Sequence, residues 1–362
     1  MARAPKIEPE RPPHDALEGV PLPRETSILV GHGAAERVLL EAYQSARMHH
    51  AWILAGERGI GKATLALRLA RFIFTHPDPS AADVAEAFDL AIAGESPVVH
   101  RVAIGAHANL LHLQRDWDDR GHRFRSELSV DSIRRITRFL GTTAGEGGWR
   151  IVIIDTADDM NFNAANALLK NLEEPPRNAL FLLIASRRDS LLPTILSRCR
   201  TLHLNPLSPD DTRKVAERVA PDASGGGDFD LAASLAGGSP RRLIELQRGD
   251  GARLYRLMRR AIEAGDRQAQ LELSAAATGP ASDLFMDLFE DYLARRIRGL
   301  DEPSDNGDIP APPLVTWAEL WEKATRSGQE VALYNLDRRQ FVLDLLETSA
   351  AAIRSSGNPK HP

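Results

Sequence analysis

Apolar positions along the chain fall into two rhythms. Between about residues 26 and 206, short unbroken apolar runs alternate with amphipathic stretches. Ala51-Trp52-Ile53-Leu54-Ala55, Leu110–Leu113, Ile151–Ile154 and Leu180–Ala185 are short and continuous, as strands buried on both faces are. Between the first two of these, Ala63–Ile73 carries Leu65, Leu67, Leu69, Ala70 and Ile73 and reads as a helix. Apolar strands separated by helices predict an α/β domain, a parallel sheet flanked by helices. From about residue 252 onward the pattern is helical throughout, broken by an acidic, Pro-rich loop at Asp301–Pro313.

These rhythms divide the chain into four expected parts. Residues 1–24 carry Pro5, Pro9, Pro12, Pro13, Pro21 and Pro23 among charges, too few apolar groups to offset the entropy of ordering, and read as a mobile tail. The α/β domain follows over 25–206. A small helical module over 207–251 opens with Pro206-Leu207-Ser208-Pro209-Asp210-Asp211, a helix-start signal, and contains a flexible loop at Ala223–Gly227. An all-α domain fills 252–362. Residues 76–100, rich in Ala, Pro and Asp, break the rhythm of the first domain like an inserted connector. No internal repeat falls at solenoid periods.

Composition changes this picture little. The chain has 362 residues, 43% of them hydrophobic and 26% charged, which suits a soluble globular protein with normal cores. Its net charge of −5 gives no overall pull toward nucleic acid or anionic membrane, so any DNA contact is local or made through partners. Cys199 is the single cysteine, which excludes an internal disulfide and a Cys-rich zinc site. The longest apolar run, Ala179–Ala185, is far short of the roughly 18 residues of a membrane span. A cytoplasmic protein without a membrane partner is the expectation.

Candidate chemistry begins at Gly56-Glu57-Arg58-Gly59-Ile60-Gly61-Lys62-Ala63, placed between the first strand and its helix. This is the G-x-x-x-x-G-K spacing of a P-loop. Gly56, Gly59 and Gly61 let backbone N–H groups turn toward phosphate, the helix N-terminus favours negative charge, and Lys62 reaches the terminal phosphates. A working P-loop then places a Ser or Thr whose hydroxyl binds Mg²⁺. Here that position is Ala63, and Thr64 lies one residue on, about 100° around the helix. This reading expects ATP or ADP to bind without Mg²⁺-assisted hydrolysis.

A second motif shows the same loss. Ile151-Val152-Ile153-Ile154-Asp155 is an apolar strand ending in a carboxylate, as in a Walker B strand that helps hold Mg²⁺. The next residue, where many such ATPases place an acid to orient water, is Thr156, which is no base at neutral pH. Asp158 and Asp159 lie further along and are expected on a solvated turn. Two losses in one centre predict a retained fold without catalysis of its own.

Further residues tie the chain to a family. Asn166-Ala167-Leu168-Leu169-Lys170-Asn171-Leu172-Glu173-Glu174-Pro175-Pro176 and Leu192-Pro193-Thr194-Ile195-Leu196-Ser197-Arg198-Cys199-Arg200 resemble the corresponding segments of AAA+ clamp-loader subunits of bacterial DNA polymerase III. Leu29-Val30-Gly31-His32, Ala63-Thr64-Leu65-Ala66 and Leu336-Asp337-Arg338-Arg339-Gln340 resemble the delta-prime branch of that family. The resemblance covers about residues 22–350. It implies an AAA+ P-loop domain, a small helical lid and a C-terminal collar through which subunits assemble.

The resemblance further implies a non-hydrolysing stator for a complex that loads a sliding clamp onto primed DNA during replication. Its partners would be gamma/tau-type and delta-type subunits, the clamp, and DNA through the complex. Arg198 falls on the family's arginine-finger position, acting in trans on a neighbour's ATP site. A guanidinium is permanently charged and bidentate, and such fingers are worth roughly 10³–10⁵ in rate. From the residues alone, Arg198 also reads as a surface arginine ending a strand or helix. Gly238-Ser239-Pro240-Arg241 lies where the family has sensor 2, making Arg241 a candidate phosphate contact, with its neighbour Arg242 as a competing position and a solvated charge pair as the alternative reading. Ser186 is a sensor 1 candidate or a hydroxyl satisfied by backbone. The four-cysteine zinc module that many family members carry is missing from this sequence, so no zinc is expected.

Two bland features complete the reading. Arg134, Arg135 and Arg138 form a basic helical turn, read as a solvated face with a DNA-phosphate contact as the alternative. Trp317, Trp321 and Phe341 read as packed core or subunit interface. The main rival function is a catalytically active AAA+ ATPase, motor-type or helicase-like. A small-molecule P-loop kinase does not account for the separate helical domain, and the negative net charge disfavours a stand-alone DNA-binding protein.

Overall fold

The computed structural model of the chain describes residues 12–92, 94, 96–141, 148–223, 228–277, 281–298, 313–334 and 337–356. It divides into two compact units, Met1–Pro221 with Gly237–Arg241, and Asp222–Ala236 with Arg242–Pro362. The first unit opens with α1 (Gly33–Gln44), β1 (Ala51–Ala55) and α2 (Lys62–Thr75). Two short helices, α3 (Ala82–Ala85) and α4 (Pro97–Ala103), lead to β2 (Leu110–Leu113) and a small hairpin of β3 (Trp117–Asp118) and β4 (Arg123–Phe124). Then come α5 (Val130–Gly141), β5 (Arg150–Asp155), α6 (Phe162–Glu173), β6 (Ala179–Ala185), α7 (Pro193–Leu196), β7 (Arg200–His203) and α8 (Pro209–Val219).

The central sheet has the order β2-β5-β6-β1-β7, and each adjacent pair is parallel. All four strands expected from the apolar runs are present within a residue. The edge strand β7 is the exception: its residues Arg200-Thr201-Leu202-His203 alternate, and the strand is only partly buried, so no apolar run announces it.

Because side chains alternate across a strand, each strand feeds two cores. Leu39, Leu65, Leu69 and Ile73 of α1 and α2 pack on Trp52, Leu54, Ile151, Ile153 and Leu182. Ile133, Ile136, Leu168, Leu172 and Ile195 of α5, α6 and α7 pack on Ile53, Val152, Ile154 and Leu183. The sheet is therefore covered on both faces, and this arrangement sets β1, β5 and β6 side by side with their C-terminal ends together.

The connector at 76–100 has structural anchors that its composition does not reveal. Gln44 Nε2 donates to the carbonyls of Val84 (2.7 Å) and Ala87 (3.0 Å), and Leu90 N donates to Glu36 Oε1 at 3.0 Å. Val84, Leu90 and Val102 are buried in the core beside α2. Residues 1–11 of the expected tail lie outside the described residues. Residues 12–24 form a succession of turns, and the buried Arg71 donates through Nη2 to the carbonyls of Pro23, Arg24 and Thr26 at 3.2, 3.2 and 2.7 Å.

The expected helix start at Ser208 is realised: its side chain accepts from Asp211 N at 3.1 Å and caps α8. The loop expected at 223–227 falls, from residue 224 on, outside the described residues, as does 301–312.

The second unit is helical, with α9 (Phe229–Leu235), most of α10 (Pro240–Arg248), α11 (Gly251–Glu263), α12 (Arg267–Ala276), α13 (Ala281–Arg298), α14 (Leu314–Tyr334) and α15 (Arg338–Ser356). Met258, Phe285, Phe289, Tyr292, Trp317, Leu345 and Leu346 are buried in it. Trp317 stands edge-on to Tyr292 with ring centroids 6.2 Å apart, so it is core, while Trp321 and Phe341 are half-buried. No described helix is long and apolar enough to cross a membrane.

Candidate functional site

The C-terminal ends of β1, β5 and β6 meet the glycine-rich loop 56–61, which continues into α2 at Lys62. The loop turns by placing Gly59 and Gly61 at φ +79° and +113°, a region that suits glycine. Gly59 has a second reason to lack a side chain. A Cβ there would lie 2.5 Å from both Arg241 Cβ and Ser239 Oγ. Segment 237–241 thus lies directly on the loop, and Ser239 Oγ donates to the Arg58 carbonyl at 2.9 Å. On the other side, His32 Nε2 lies 2.6 Å from the Ile60 carbonyl, and burial lowers the His32 pKa.

Lys62 is only 5% exposed. Its Nζ donates to the carbonyls of Gly56 (2.7 Å) and Glu57 (2.5 Å), and to Ser186 Oγ at 3.3 Å. The ammonium is therefore folded back onto its own loop. Burial pushes its pKa down to about 8, against the pull of Asp158 and Asp155. Ala63 and Thr64 are half-buried on the first turn of α2; Ala63 brings no hydroxyl, and Thr64 is turned about 100° from it.

Asp155 ends β5 as the strand pattern implied. His112 Nε2 lies 3.3 Å from Asp155 Oδ2, and Gln114 Nε2 donates to the same oxygen at 3.4 Å. Burial alone would raise this carboxyl, but the His112 hydrogen bond and charge, helped by Gln114, hold it below its ordinary value. His112 and Gln114 share one face of the β2 segment by the period-two rule. The polar residue within Leu110-Leu111-His112-Leu113 was the available signal for this pairing.

Asp158 and Asp159 do not lie on a solvated turn, which corrects the sequence expectation. Residues 157–159 form a 3₁₀ turn, and Asp158 Oδ2 accepts from the backbone N–H groups of Ser186 (3.1 Å) and Arg187 (3.0 Å). The physical reason is the end of β6: its outgoing N–H groups need acceptors, and Asp158 supplies them. Thr156 Oγ1 donates to Asp159, and Arg115 pairs with Asp159 at 3.4 Å.

Arg241 donates through Nη1 to the Asp15 carbonyl at 2.5 Å, and its Nη2 lies 3.2 Å from Asp15 Oδ1. Arg58 also pairs with that carboxylate. Arg242, the competing position, belongs to the second unit and pairs with Asp291 at 3.7 Å. The structure therefore gathers Gly56, Gly59, Gly61, Lys62, Asp155, Ser186 and Arg241 at one edge of the sheet. Asp15, His112, Gln114 and Ser239 join them and were not read from the sequence.

Arg198 lies elsewhere. Arg200 pairs with Trp52 near the start of β1, whereas the loop begins beyond the end of β1. Four residues of strand, about 13 Å, separate Arg200 from the level of Gly56, and Arg198 is two residues further out. Arg198 Nη2 pairs with Glu173 at 2.7 Å, and Nη1 donates to the Thr194 carbonyl at 2.9 Å; its side chain stays 35% exposed. The neighbouring Cys199 is half-buried, and burial pushes its thiol up to about 12. On α5, Arg134 and Arg135 pair with Asp131 and Asp116 on an exposed face, with Arg138 beside them.

Residues 31–208 match the family model described as DNA polymerase III, delta subunit. The chain is 34% identical over 207 residues to DNA polymerase III subunit delta' of Pseudomonas aeruginosa, covering 57% of this chain and 58% of that protein. It is 28% identical over 321 residues to the Escherichia coli protein of the same name, covering 85% and 91% respectively. The match thus spans a little over half of the first relative and nearly all of the second. A solved gamma subunit-related protein of DNA polymerase III from Thermotoga maritima aligns at 16% identity and a TM-score of 0.47, covering 87% of this chain and 100% of that one.

Proposed function

Since this chain belongs to the delta-prime family of AAA+ clamp-loader proteins of DNA polymerase III, we propose that it is the stator of such a loader. In this role it assembles with gamma/tau-type and delta-type subunits, and the complex opens a sliding clamp and sets it on primed DNA. It donates Arg198 to a neighbour's ATP site and hydrolyses no ATP itself. The small helical lid over 207–251 and the collar over 252–362 complete the assembly in this reading.

The single observation that carries the proposal is the contrast in placement between Lys62 and Arg198. Arg198 is remote from its own loop and partly exposed at the opposite edge of the sheet, paired with Glu173, a position that supports action on a second subunit over action on its own nucleotide site. Lys62 is buried on its own loop carbonyls. An arginine acting on a bound triphosphate stabilises charge that develops on the transferred phosphoryl oxygens.

The residues fit a nucleotide phosphate better than they fit a metal. Gly56, Gly59, Gly61 and Lys62 have the turn and charge for phosphate, with Arg241 against the loop. A Mg²⁺ ion would require a hydroxyl where Ala63 stands, and the carboxylate of Asp155 is engaged by His112 and Gln114. ATP or ADP would therefore be held by Lys62 and Arg241 without hydrolysis.

The test is ATP turnover by the purified chain, with and without Mg²⁺ and beside Lys62→Ala. The proposal expects no turnover above background in any of these. Mg²⁺-dependent turnover lost in Lys62→Ala would replace the stator with an active ATPase.

A further inference from the structure

We propose that residues 13–24 form an intramolecular strap over the glycine-rich loop, with the Asp15 carboxylate standing in the place of a nucleotide phosphate. The proposal rests on the reading of loop 56–62 as a phosphate loop and adds a regulator to it. A P-loop attracts anions through glycine-directed N–H groups, a helix N-terminus and nearby cations. Here the cations beside the loop already meet an anion from the same chain. Asp15 pairs with Arg58, a residue of the loop itself, and with Arg241, which lies against Gly59. Arg241 also takes the Asp15 carbonyl as an acceptor, at 2.5 Å, so both polar groups of one residue are used.

The strap is fastened on either side of this contact. His14 Nε2 accepts from Arg115 Nε at 3.1 Å, and its ring stands edge-on to Phe124 of β4 with centroids 4.8 Å apart. Arg115 in turn pairs with Asp159, beside the end of β5. At the far end, Arg71 of α2 gathers the carbonyls of Pro23, Arg24 and Thr26. Asp15 itself adopts φ +56°, a left-handed conformation that Asp and Asn tolerate better than most residues. The turn thus aims a carboxylate and a carbonyl at the same guanidinium.

With Arg58 and Arg241 sharing an anion from the same chain, the loop calls less strongly for phosphate, and Lys62 rests on the carbonyls of Gly56 and Glu57. A nucleotide must then displace Asp15 before Arg58 and Arg241 can meet its phosphates. Its apparent affinity is reduced by the fraction of chains in which the strap is closed. ATP and ADP differ in charge, so the more highly charged nucleotide competes better with one carboxylate.

Asp15→Asn tests this directly, because Asn keeps the left-handed turn and removes only the charge. Full-length chain is titrated with ATP by calorimetry, and amide hydrogen exchange of residues 13–24 is followed with and without ATP. Asp131→Asn, the same charge change on the exposed face of α5, is the control. The strap predicts about tenfold tighter ATP binding by Asp15→Asn than by wild type. It also predicts faster exchange over 13–24 when wild type binds ATP, with Asp131→Asn behaving as wild type. Lys62-dependent ATP binding that is equal in wild type and Asp15→Asn, with exchange over 13–24 unchanged, would overturn the strap and leave the phosphate loop standing. Absence of ATP binding in both proteins at millimolar concentration would overturn the phosphate-loop reading, and the strap with it.

Discussion

The two edges of the parallel sheet treat their arginines and lysine in opposite ways. At the C-terminal edge, Lys62 is folded onto two loop carbonyls, Asp155 is held by His112 and Gln114, and Arg58 and Arg241 share Asp15. At the N-terminal edge, Arg198 pairs with the carboxylate of Glu173 and keeps a third of its side chain exposed. A centre whose cations already have partners within the chain offers less to a phosphate. A partly exposed guanidinium in the turn between α7 and β7 can still meet a second molecule in the proposed role. On the proposed reading, one domain keeps the architecture of an ATPase while the charge it uses stands at the opposite edge.

The comparison can be sharpened first through the charge state of Lys62. Its pKa is about 8 in the folded chain and 10.5 in the unfolded one. Below pH 8 the ammonium is charged in both states and the folded state bears the full cost of burying it. As pH rises from 8 to 10.5 the folded state loses its proton first, so stability attributable to this group should rise. The gain should be on the order of 3 kcal/mol across that window, and Lys62→Met should remove the rise. Denaturant titrations at several pH values measure it. An identical pH profile in Lys62→Met would mean that the lysine is solvated and not folded onto the loop.

Gly59→Ala probes the same edge with a smaller expected effect. The new Cβ meets Arg241 and Ser239 at 2.5 Å, and the backbone lies at φ +79°. A loss of about 2 kcal/mol is expected, read as a lower thermal unfolding midpoint of the full chain. An unchanged midpoint would show that segment 237–241 does not rest on the loop. At the other edge, Glu173→Gln releases Arg198 from a partly exposed ion pair. Stability should change by less than about 1 kcal/mol. Turnover of the reconstituted loader should be at least that of wild type, and a fall would make Glu173 part of the machinery.

Much of this contrast was legible in the residues, and the reasons are physical. Buried strands announce themselves by continuous apolar runs, so β1, β2, β5 and β6 were found, and the glycine spacing located the loop between β1 and α2. The absence of a hydroxyl at Ala63 and of an acid at Thr156 is visible in the letters alone. Other features depend on what folding brings together. The half-buried alternating edge strand β7 has no apolar run. Asp15 lies 226 residues from Arg241, and nothing local ties either one to the other. His112 and Gln114 read as ordinary polar residues until β2 is laid beside β5. Asp158 was misread because the need it meets, two outgoing N–H groups at the end of β6, arises only in the folded chain.

The most direct test uses the reconstituted clamp loader assembled with Arg198→Ala in this chain. Gel filtration establishes that the complex forms, and DNA-stimulated ATP turnover is then compared with that of the wild-type assembly. The account predicts an intact complex whose turnover falls by about tenfold or more, because one neighbouring site loses its finger. An intact complex that hydrolyses ATP at the wild-type rate would contradict it and remove Arg198 from the mechanism.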